Sequence, residues 1–228
     1  MTQNSKIEWT DHTFNPWIGC TKVSLGCDNC YAENLAKRFN MAEWGTGKPR
    51  LLTSDENWKK PIAWNNMAKK SGVRQRVFCA SMADVFDNEV RPEWRQRLWK
   101  LIAETPNLDW LILTKRIGNA KTMWPAPIDG IPLSNVWLGI SVVNQEEADR
   151  DIPKLLATPA HARFLSIEPL LGAINLDFAK CLNGCGFVTP VLCNNNKDYA
   201  CPKCKAVVNS MGAGSYPGKL HKRKKIDW

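Results

Sequence analysis

The chain has 228 residues, of which 44% are hydrophobic, and a formal net charge of +9 at pH 7. That is enough for one large domain or two small ones with a buried core, and the positive charge favours a polyanionic partner such as nucleic acid or a phosphorylated substrate. No apolar run approaches the roughly 20 residues of a membrane span, and the first residues lack the apolar stretch of a signal peptide, so we expect a cytoplasmic protein.

The first segment with recognisable chemistry is a loop that carries Cys20, Cys27 and Cys30 in the pattern C-x6-C-x2-C. In a reducing cytoplasm, clustered cysteines predict metal ligands before disulfides. Three thiolates on one short loop can hold three corners of a cubane [4Fe–4S] cluster and leave the fourth iron open, whereas clusters that only carry electrons usually have four cysteine ligands. The loop therefore predicts an iron–sulfur cluster with an open iron. A helix over 32–39 and an irregular segment should follow.

Residues 75–170 alternate short apolar runs with longer amphipathic stretches. The apolar runs predict four buried strands, at 76–80, 109–113, 136–140 and 163–167. Apolar side chains at helical spacing predict helices over 92–104 and 145–157, with a shorter helix after Arg116. Continuous apolar strands that alternate with helices indicate a parallel sheet covered by helices, and thus an α/β fold.

Each of the four predicted strands ends in polar or charged residues. In parallel α/β folds these strand ends meet at one edge, where ligands bind. The candidate site residues at this edge are Ser81, Asp84, Thr114, Lys115, Arg116, Ser141, Asn144 and Glu168. Each one, taken alone, is more typical of an ordinary loop start than of a binding site. Four strand ends that behave alike favour a binding site.

A second set of cysteines interrupts this alternation near the C-terminus. It consists of Cys181 and Cys185, then Cys201 and Cys204 after a gap of 15 residues. Two close pairs at this separation predict two knuckles around one tetrahedral zinc ion, and such a zinc ribbon serves structure or docking. A second iron–sulfur cluster and a redox dithiol are the alternatives. Cys193 lies between the pairs and is not assigned as a ligand.

Several motifs together resemble an uncharacterised family of phage and prophage proteins. They are the cysteine loop with Tyr31 after it, Ser81-Met82-Ala83-Asp84, Leu113-Thr114-Lys115-Arg116, Trp137-Leu138-Gly139-Ile140-Ser141 and Leu165-Ser166-Ile167-Glu168-Pro169. That family is similar to divergent radical S-adenosylmethionine (SAM) enzymes. The cysteine spacing departs from the commonest radical SAM pattern, C-x3-C-x2-C, and no Gly-Gly-Glu follows Ala80.

The resemblance implies a partial parallel β/α barrel that binds a [4Fe–4S] cluster and SAM. It implies one-electron cleavage of SAM and hydrogen abstraction from a substrate, supported by an electron donor in the cytoplasm of a bacterial host. The SAM-binding residues would be Tyr31, Ser81, Asp84, Thr114, Lys115, Ser141 and Glu168. The substrate is expected to be nucleic acid or a nucleotide.

The last residues resemble the opening of another buried strand, since Ile226-Asp227-Trp228 is similar to Leu108-Asp109-Trp110. We therefore expect a truncated last strand beside the strand at 163–167. The predicted organisation is a partial barrel with its cysteine loop at 1–175, a zinc-ribbon insertion at 176–210, and a basic linker with the start of the truncated strand at 211–228.

Two other classes of function fit the same sequence. A non-catalytic nucleic-acid-binding protein would hold zinc at both cysteine sets and contact phosphates through its basic surface. An inactive, truncated relic of an enzyme would have the fold without the activity.

Overall fold

The computed structural model describes residue 5, residues 7–126 and residues 133–176, together with the backbone of four further strands between 178 and 211. Within these residues, no helix is long and apolar enough to cross a membrane.

A five-stranded sheet forms the centre of the fold, with strand order β1-β4-β5-β6-β7. All its neighbouring strands are parallel. Its strands are β1 (His12–Thr13), β4 (Gln75–Cys79), β5 (Leu108–Thr114), β6 (Val136–Ser141) and β7 (Ala162–Ser166). Two short strands, β2 (Trp17–Ile18) and β3 (Leu51–Leu52), pair antiparallel outside this sheet. The prediction of a mostly parallel α/β fold is confirmed, and the arrangement is compatible with a partial β/α barrel.

Within the described residues, five α-helices connect these strands. They are α1 (Tyr31–Arg38), α2 (Asp55–Ser71), α3 (Pro92–Glu104), α4 (Ile117–Met123) and α5 (Gln145–Ala157). The last three join β4 to β5, β5 to β6 and β6 to β7, as parallel strands require. The bounds of α3 and α5 agree with those predicted. Helix α2 was not predicted, and α1 begins one residue before its predicted start.

The hydrophobic core lies between one face of the sheet and helices α2 to α5. Alternate residues of β4, β5 and β6 enter it, such as Val77, Ile112 and Leu138, as the two-residue period of a strand requires. Tryptophans fill much of the remaining volume: Phe14 packs edge-on against Trp58 and Trp110, with ring centroids 5.5 and 5.7 Å away. Helices α2 to α5 thus pack against one face of the sheet.

The opposite face of the sheet carries an aromatic cluster. The ring of Phe164 on β7 occupies the space above Gly139 on β6, where an added Cβ would collide with that ring. Trp9 packs on the same face, with its ring centroid 4.7 Å from that of Phe78 and 6.5 Å from that of Phe164. The segment before β1 therefore covers part of the face that becomes the interior in a barrel.

Strand β7 pairs with β6 and with no other strand among the described residues, so it lies at an edge of the described sheet. This position agrees with the expectation for the strand at 163–167. Residues 226–228, which we expect beside it, lie outside the described residues.

Residues 178–211 contain a second, antiparallel sheet with strand order β10-β11-β8-β9. The strands are β8 (Phe178–Cys181), β9 (Val188–Pro190), β10 (Tyr199–Ala200) and β11 (Val207–Met211). Cys181 pairs with Val208, and Ala200, the residue before Cys201 in the chain, pairs with Val207. The other predicted zinc ligands, Cys185, Cys201 and Cys204, lie outside the described residues, and the predicted boundaries at 175/176 and 210/211 stay predictions.

The central position of β6 gives a test of the core. Replacing the fully buried Leu138 with Ala removes three carbons from the layer between the sheet and the helices. We expect a loss of about 2–5 kcal/mol in the free energy of unfolding, because the surroundings fill the cavity only in part. Denaturant unfolding monitored by circular dichroism measures this loss.

Leu51→Ala is the matched control, since Leu51 is 42% exposed on β3. We expect a change of about 0.5 kcal/mol or less at that position. Equal losses in the two variants would contradict the assignment of β6 to the core.

Candidate functional site

The cysteine loop lies at the carboxyl edge of the parallel sheet. The chain leaves β1 at Thr13, and Gly19 forms an isolated parallel bridge with Ala83, beyond the end of β4. Cys20 follows at once, and Cys30 is the residue before α1. All three cysteines are partly buried and free of disulfides. The carboxyl ends of β4, β5 and β6 therefore face the loop that carries them.

Asn15 fixes the approach to this loop. Its side chain accepts a hydrogen bond from the backbone N–H of Met82 at 2.8 Å and donates one to Ser81 Oγ at 2.9 Å. Its carbonyl oxygen accepts from Thr53 and Asn57. The segment before the cysteines is thus tied to the end of β4, where the predicted site residue Ser81 lies.

Asp84 is the central acceptor at this edge. Its Oδ1 accepts from Thr114 Oγ1 at 2.7 Å, and its Oδ2 accepts from the backbone N–H of Lys115 at 3.0 Å. The structure therefore brings together three of the predicted site residues. Both oxygens of the buried Asp84 are engaged within the protein, which indicates that this carboxylate positions the end of β5.

Arg116 connects that group to the first cysteine. Its Nη1 donates to Cys20 Sγ at 3.3 Å and lies 3.4 Å from Asp84 Oδ2, and its Nη2 donates to the carbonyl oxygen of Thr21 at 2.6 Å. Burial works against the charged form, yet the surrounding Asp84, Cys20 and Asp87 raise the pKa of Arg116 above its ordinary value. The guanidinium therefore stays charged beside the sulfur.

The free thiol of Cys20 is held in its neutral form. Burial raises its pKa to about 11, with Asp84 acting in the same direction and Arg116 opposing both. A metal bound at this sulfur displaces the proton, because only the thiolate is a metal ligand.

A second buried arginine supports the loop from behind. Arg50 donates to Asp87 Oδ2 at 2.9 Å and to Thr21 Oγ1 at 2.7 Å, and its Nη2 lies 2.6 Å from Glu89 Oε2. Its Nη1 also donates to two backbone carbonyls of the segment 45–48. Sequence reasoning missed Arg50, Asp87 and Glu89, since no local pattern links residues so far apart in the chain.

The middle of the loop is tied to helix α5. Ser24 Oγ donates to Glu147 Oε1 at 2.6 Å and accepts from the backbone N–H of Gly26 at 3.0 Å. Glu147 Oε2 accepts from the backbone N–H of Val143 at 3.2 Å. Asn144, a predicted site residue, caps α5 by accepting from the N–H of Glu147. The Asn-x-x-Glu pattern of 144–147, typical of a helix start, is the signal that could have pointed to Glu147.

The remaining predicted site residues lie around the same edge. The hydroxyl of Tyr31 donates to the carbonyl oxygen of Ser81 at 2.8 Å, which ties the start of α1 to the end of β4. The side chain of Lys115 lies beside Gly26 of the loop. Ser141 is buried at the end of β6, and Glu168 is exposed after β7. The structure thus places Tyr31, Ser81 and Lys115 next to the loop.

Within the described residues, no three His, Cys, Asp or Glu side chains converge closely enough to hold a single metal ion. The thiolates of a cubane cluster each bind a different iron, so they do not converge on one point. The donor set fits such a cluster in kind, since three sulfurs lie on one tethered loop and a buried cation faces one of them.

Comparison with protein families gives a match over residues 4–228 to the family described as "Protein of unknown function (DUF5131)". The chain belongs to this family. This match confirms the expected membership of an uncharacterised family. The phage origin stays a prediction.

No curated protein matches this DUF5131 protein. Among solved structures, it is similar to that of a cysteine-to-serine mutant of spore photoproduct lyase, with 12% sequence identity and a TM-score of 0.49. The match covers 74% of this chain and 48% of that chain, so this chain spans about half the length of that structure.

The contact between Ser24 and Glu147 gives a local test. Ser24→Ala removes both hydrogen bonds of the Ser24 hydroxyl, and we expect a loss of about 1 kcal/mol in the free energy of unfolding together with faster amide exchange over residues 24–28. Hydrogen–deuterium exchange mass spectrometry measures the local effect.

Ser71→Ala serves as the control, because Ser71 Oγ also makes two local hydrogen bonds, to Ala68 and Val73 at the end of α2. It should leave exchange in the cysteine loop unchanged. Exchange over 24–28 that is the same in both variants would show that Glu147 does not hold the loop.

Proposed function

We propose that this protein is a radical SAM-type iron–sulfur enzyme in which Cys20, Cys27 and Cys30 bind a [4Fe–4S] cluster. The observation that carries the proposal is the seating of the three-cysteine loop on the carboxyl edge of a parallel sheet. Separate elements hold it there: Arg116 after β5 at its start, Glu147 of α5 at its middle, and Ser81 after β4 at its end. A loop that only covered the sheet would not need a buried arginine beside Cys20.

The polar groups at the edge have distinct tasks under this proposal. Asp84 and Thr114 are engaged with each other, so they position the end of β5. Lys115, Ser141 and Glu168 would then meet SAM, with the Lys115 ammonium suited to its carboxylate and the Glu168 carboxylate suited to its amino group or ribose hydroxyls. Tyr31 and Ser81 would close the wall beside Cys30.

When bound, the cluster and SAM supply radical chemistry, in which one electron from an external donor cleaves SAM and the substrate loses a hydrogen atom. The protein's own residues orient the reactants and keep water out. The aromatic cluster of Trp9, Phe78 and Phe164 lies on the face of the sheet that such a reaction would use, and its rings would help to exclude water there.

Nucleic acid or a nucleotide is the substrate class that we propose. The net charge of +9 supports a phosphate-bearing ligand. At the end of α1, the exposed Arg38 lies over the exposed ring of Phe39, with its Cζ 5.6 Å from the ring centroid. Cations next to aromatic rings are typical of surfaces that bind single-stranded nucleic acid.

The cluster assignment is tested by single substitutions. Cys20→Ala, Cys27→Ala and Cys30→Ala should each abolish the brown colour and most of the iron after anaerobic reconstitution, because the loop provides three ligands and no spare. Iron and acid-labile sulfide per chain, together with SAM cleavage under reducing conditions, are the measurements.

Cys79→Ala is the matched control, since Cys79 is fully buried in β4 and enters the core on the helix side. It should keep its iron. A wild-type protein that is colourless and carries zinc at both cysteine sets would instead support a zinc-dependent nucleic-acid-binding protein, and one that binds the cluster without cleaving SAM would support an inactive relic.

We further propose that Cys181, Cys185, Cys201 and Cys204 bind one structural zinc ion. Strands β8 and β10 pair with the two edges of β11, and this supports the proposal. Cys181 of β8 lies opposite Val208, and Ala200 of β10 lies opposite the adjacent residue, Val207. Cys181 and Ala200, which precedes Cys201 in the chain, therefore lie at the same level of the sheet. Zinc would add folding free energy to a short segment.

Replacing Cys181 or Cys204 with Ala should remove the zinc and leave the iron content unchanged. X-ray absorption of the wild-type protein should show about four sulfurs at about 2.3 Å from zinc. Cys193→Ala, the control, should retain the metal. Zinc loss in Cys193→Ala with full retention in Cys204→Ala would reassign the ligand set.

A further inference from the structure

Arg116 brings a permanent positive charge to one sulfur of the cysteine loop. Its Nη1 donates to Cys20 Sγ at 3.3 Å, while its Nη2 donates to the carbonyl oxygen of the next residue, Thr21, at 2.6 Å. The side chain is only 8% exposed. A guanidinium presents its N–H groups in a rigid fork, so these two bonds together fix its direction toward the sulfur.

The orientation of Arg116 is set by groups on its far side. Asp84 Oδ2 lies 3.4 Å from Nη1 and Asp87 Oδ1 lies 3.9 Å from Nη2. The backbone N–H of Arg116 donates to Thr114 Oγ1 at 2.8 Å. Turning the guanidinium away from Cys20 would leave the buried carboxylate of Asp84 without its cation, which is costly.

The three cysteines are therefore not equivalent. Within the part of the chain that the structure describes, a charged side chain donates a hydrogen bond to the sulfur of Cys20 and none does so to Cys27 or Cys30. Hydrogen bonds to the ligating sulfurs and the net local charge are among the factors that set the reduction potential of an iron–sulfur cluster. Reduction adds a negative charge, which a nearby fixed cation stabilises.

We propose, resting on the function proposed above, that Arg116 is a positioning residue that donates a charge-assisted hydrogen bond to the Cys20 thiolate and raises the reduction potential of the cluster. The iron bound by Cys20 is thereby the one with the most strongly polarised ligand. Arg116 acts through Cys20 and through the Thr21 carbonyl, and it takes no part in the bonds that form or break in the substrate.

Arg50 offers a matched control. It is a buried arginine of the same acidic group, it contacts Asp87 as Arg116 does, and it donates to the same residue of the loop, at Thr21 Oγ1. It differs from Arg116 in making no hydrogen bond to a cysteine sulfur within the described residues. Substitution of either arginine removes support for the loop at Thr21. Only substitution of Arg116 also removes the cation beside Cys20 Sγ.

The experiment measures the midpoint potential of the reconstituted cluster by a redox titration followed by electron paramagnetic resonance. We expect Arg116→Gln to shift the potential to a lower value than in wild type, and Arg116→Lys to return part of that shift. Arg50→Gln should give a clearly smaller shift, although it also weakens the loop. An unchanged potential in Arg116→Gln, or an equal shift in Arg50→Gln, overturns the inference.

A charge-balanced background covers the case in which Arg116→Gln does not fold. Asp84→Asn removes the carboxylate that Arg116 faces, so Arg116→Gln in that background leaves no unpaired charge at residue 84. The double variant Asp84→Asn/Arg116→Gln should have a lower reduction potential than the single variant Asp84→Asn. Equal potentials overturn the inference. The wild-type iron content is measured first: absence of iron there refutes the proposed function and the inference with it, whereas iron with unshifted variants refutes the inference alone.

Discussion

The carboxylate of Asp84 is the group on which the candidate site depends. It accepts hydrogen bonds from the end of β5, at Thr114 and Lys115, and from the N–H of Phe86 in its own loop. It also faces Arg116, which in turn holds the first cysteine. One buried side chain therefore sets the distance between two neighbouring strand ends and directs the cation that contacts the loop.

This arrangement stabilises the fold less than its number of contacts suggests. Arg50 and Arg116 pair with Asp84, Asp87 and Glu89, and most of these side chains are buried. Removing so many charges from water is costly, and well-paired charges recover little more than that cost. A purely apolar packing of the same volume would serve stability as well. What the charges provide is a single orientation of the loop that carries the cysteines.

The sequence predicts the regular part of the fold well. The bounds of α3 and α5 follow from apolar side chains at helical spacing, and β4 to β7 follow from continuous apolar runs, each placed within one or two residues. Helix α2 has no such clear stripe: Pro61 lies inside it, and its buried positions include Asn57 and Asn65. Strand β1 has two residues, too few for any periodicity.

The candidate site divides in the same way. The cysteines and the residues at the strand ends are visible because their signals are local spacings in the chain. Arg50 and Asp87 are not visible, since their contact joins residues 37 positions apart in the chain. Side chains that shape a site through long-range pairing leave no local pattern that separates them from ordinary surface charges.

The tethers of the cysteine loop have a consequence for the order of events during synthesis. The loop is translated early, but its partners Arg116 and Glu147 are 95 and 123 residues further along the chain at their contacts with Thr21 and Ser24. A nascent chain therefore exposes its three thiols before the ribosome has made the residues that seat them. Maturation of any metal centre at this loop is then a late step, because the thiols reach their final positions only after the sheet has closed beneath them.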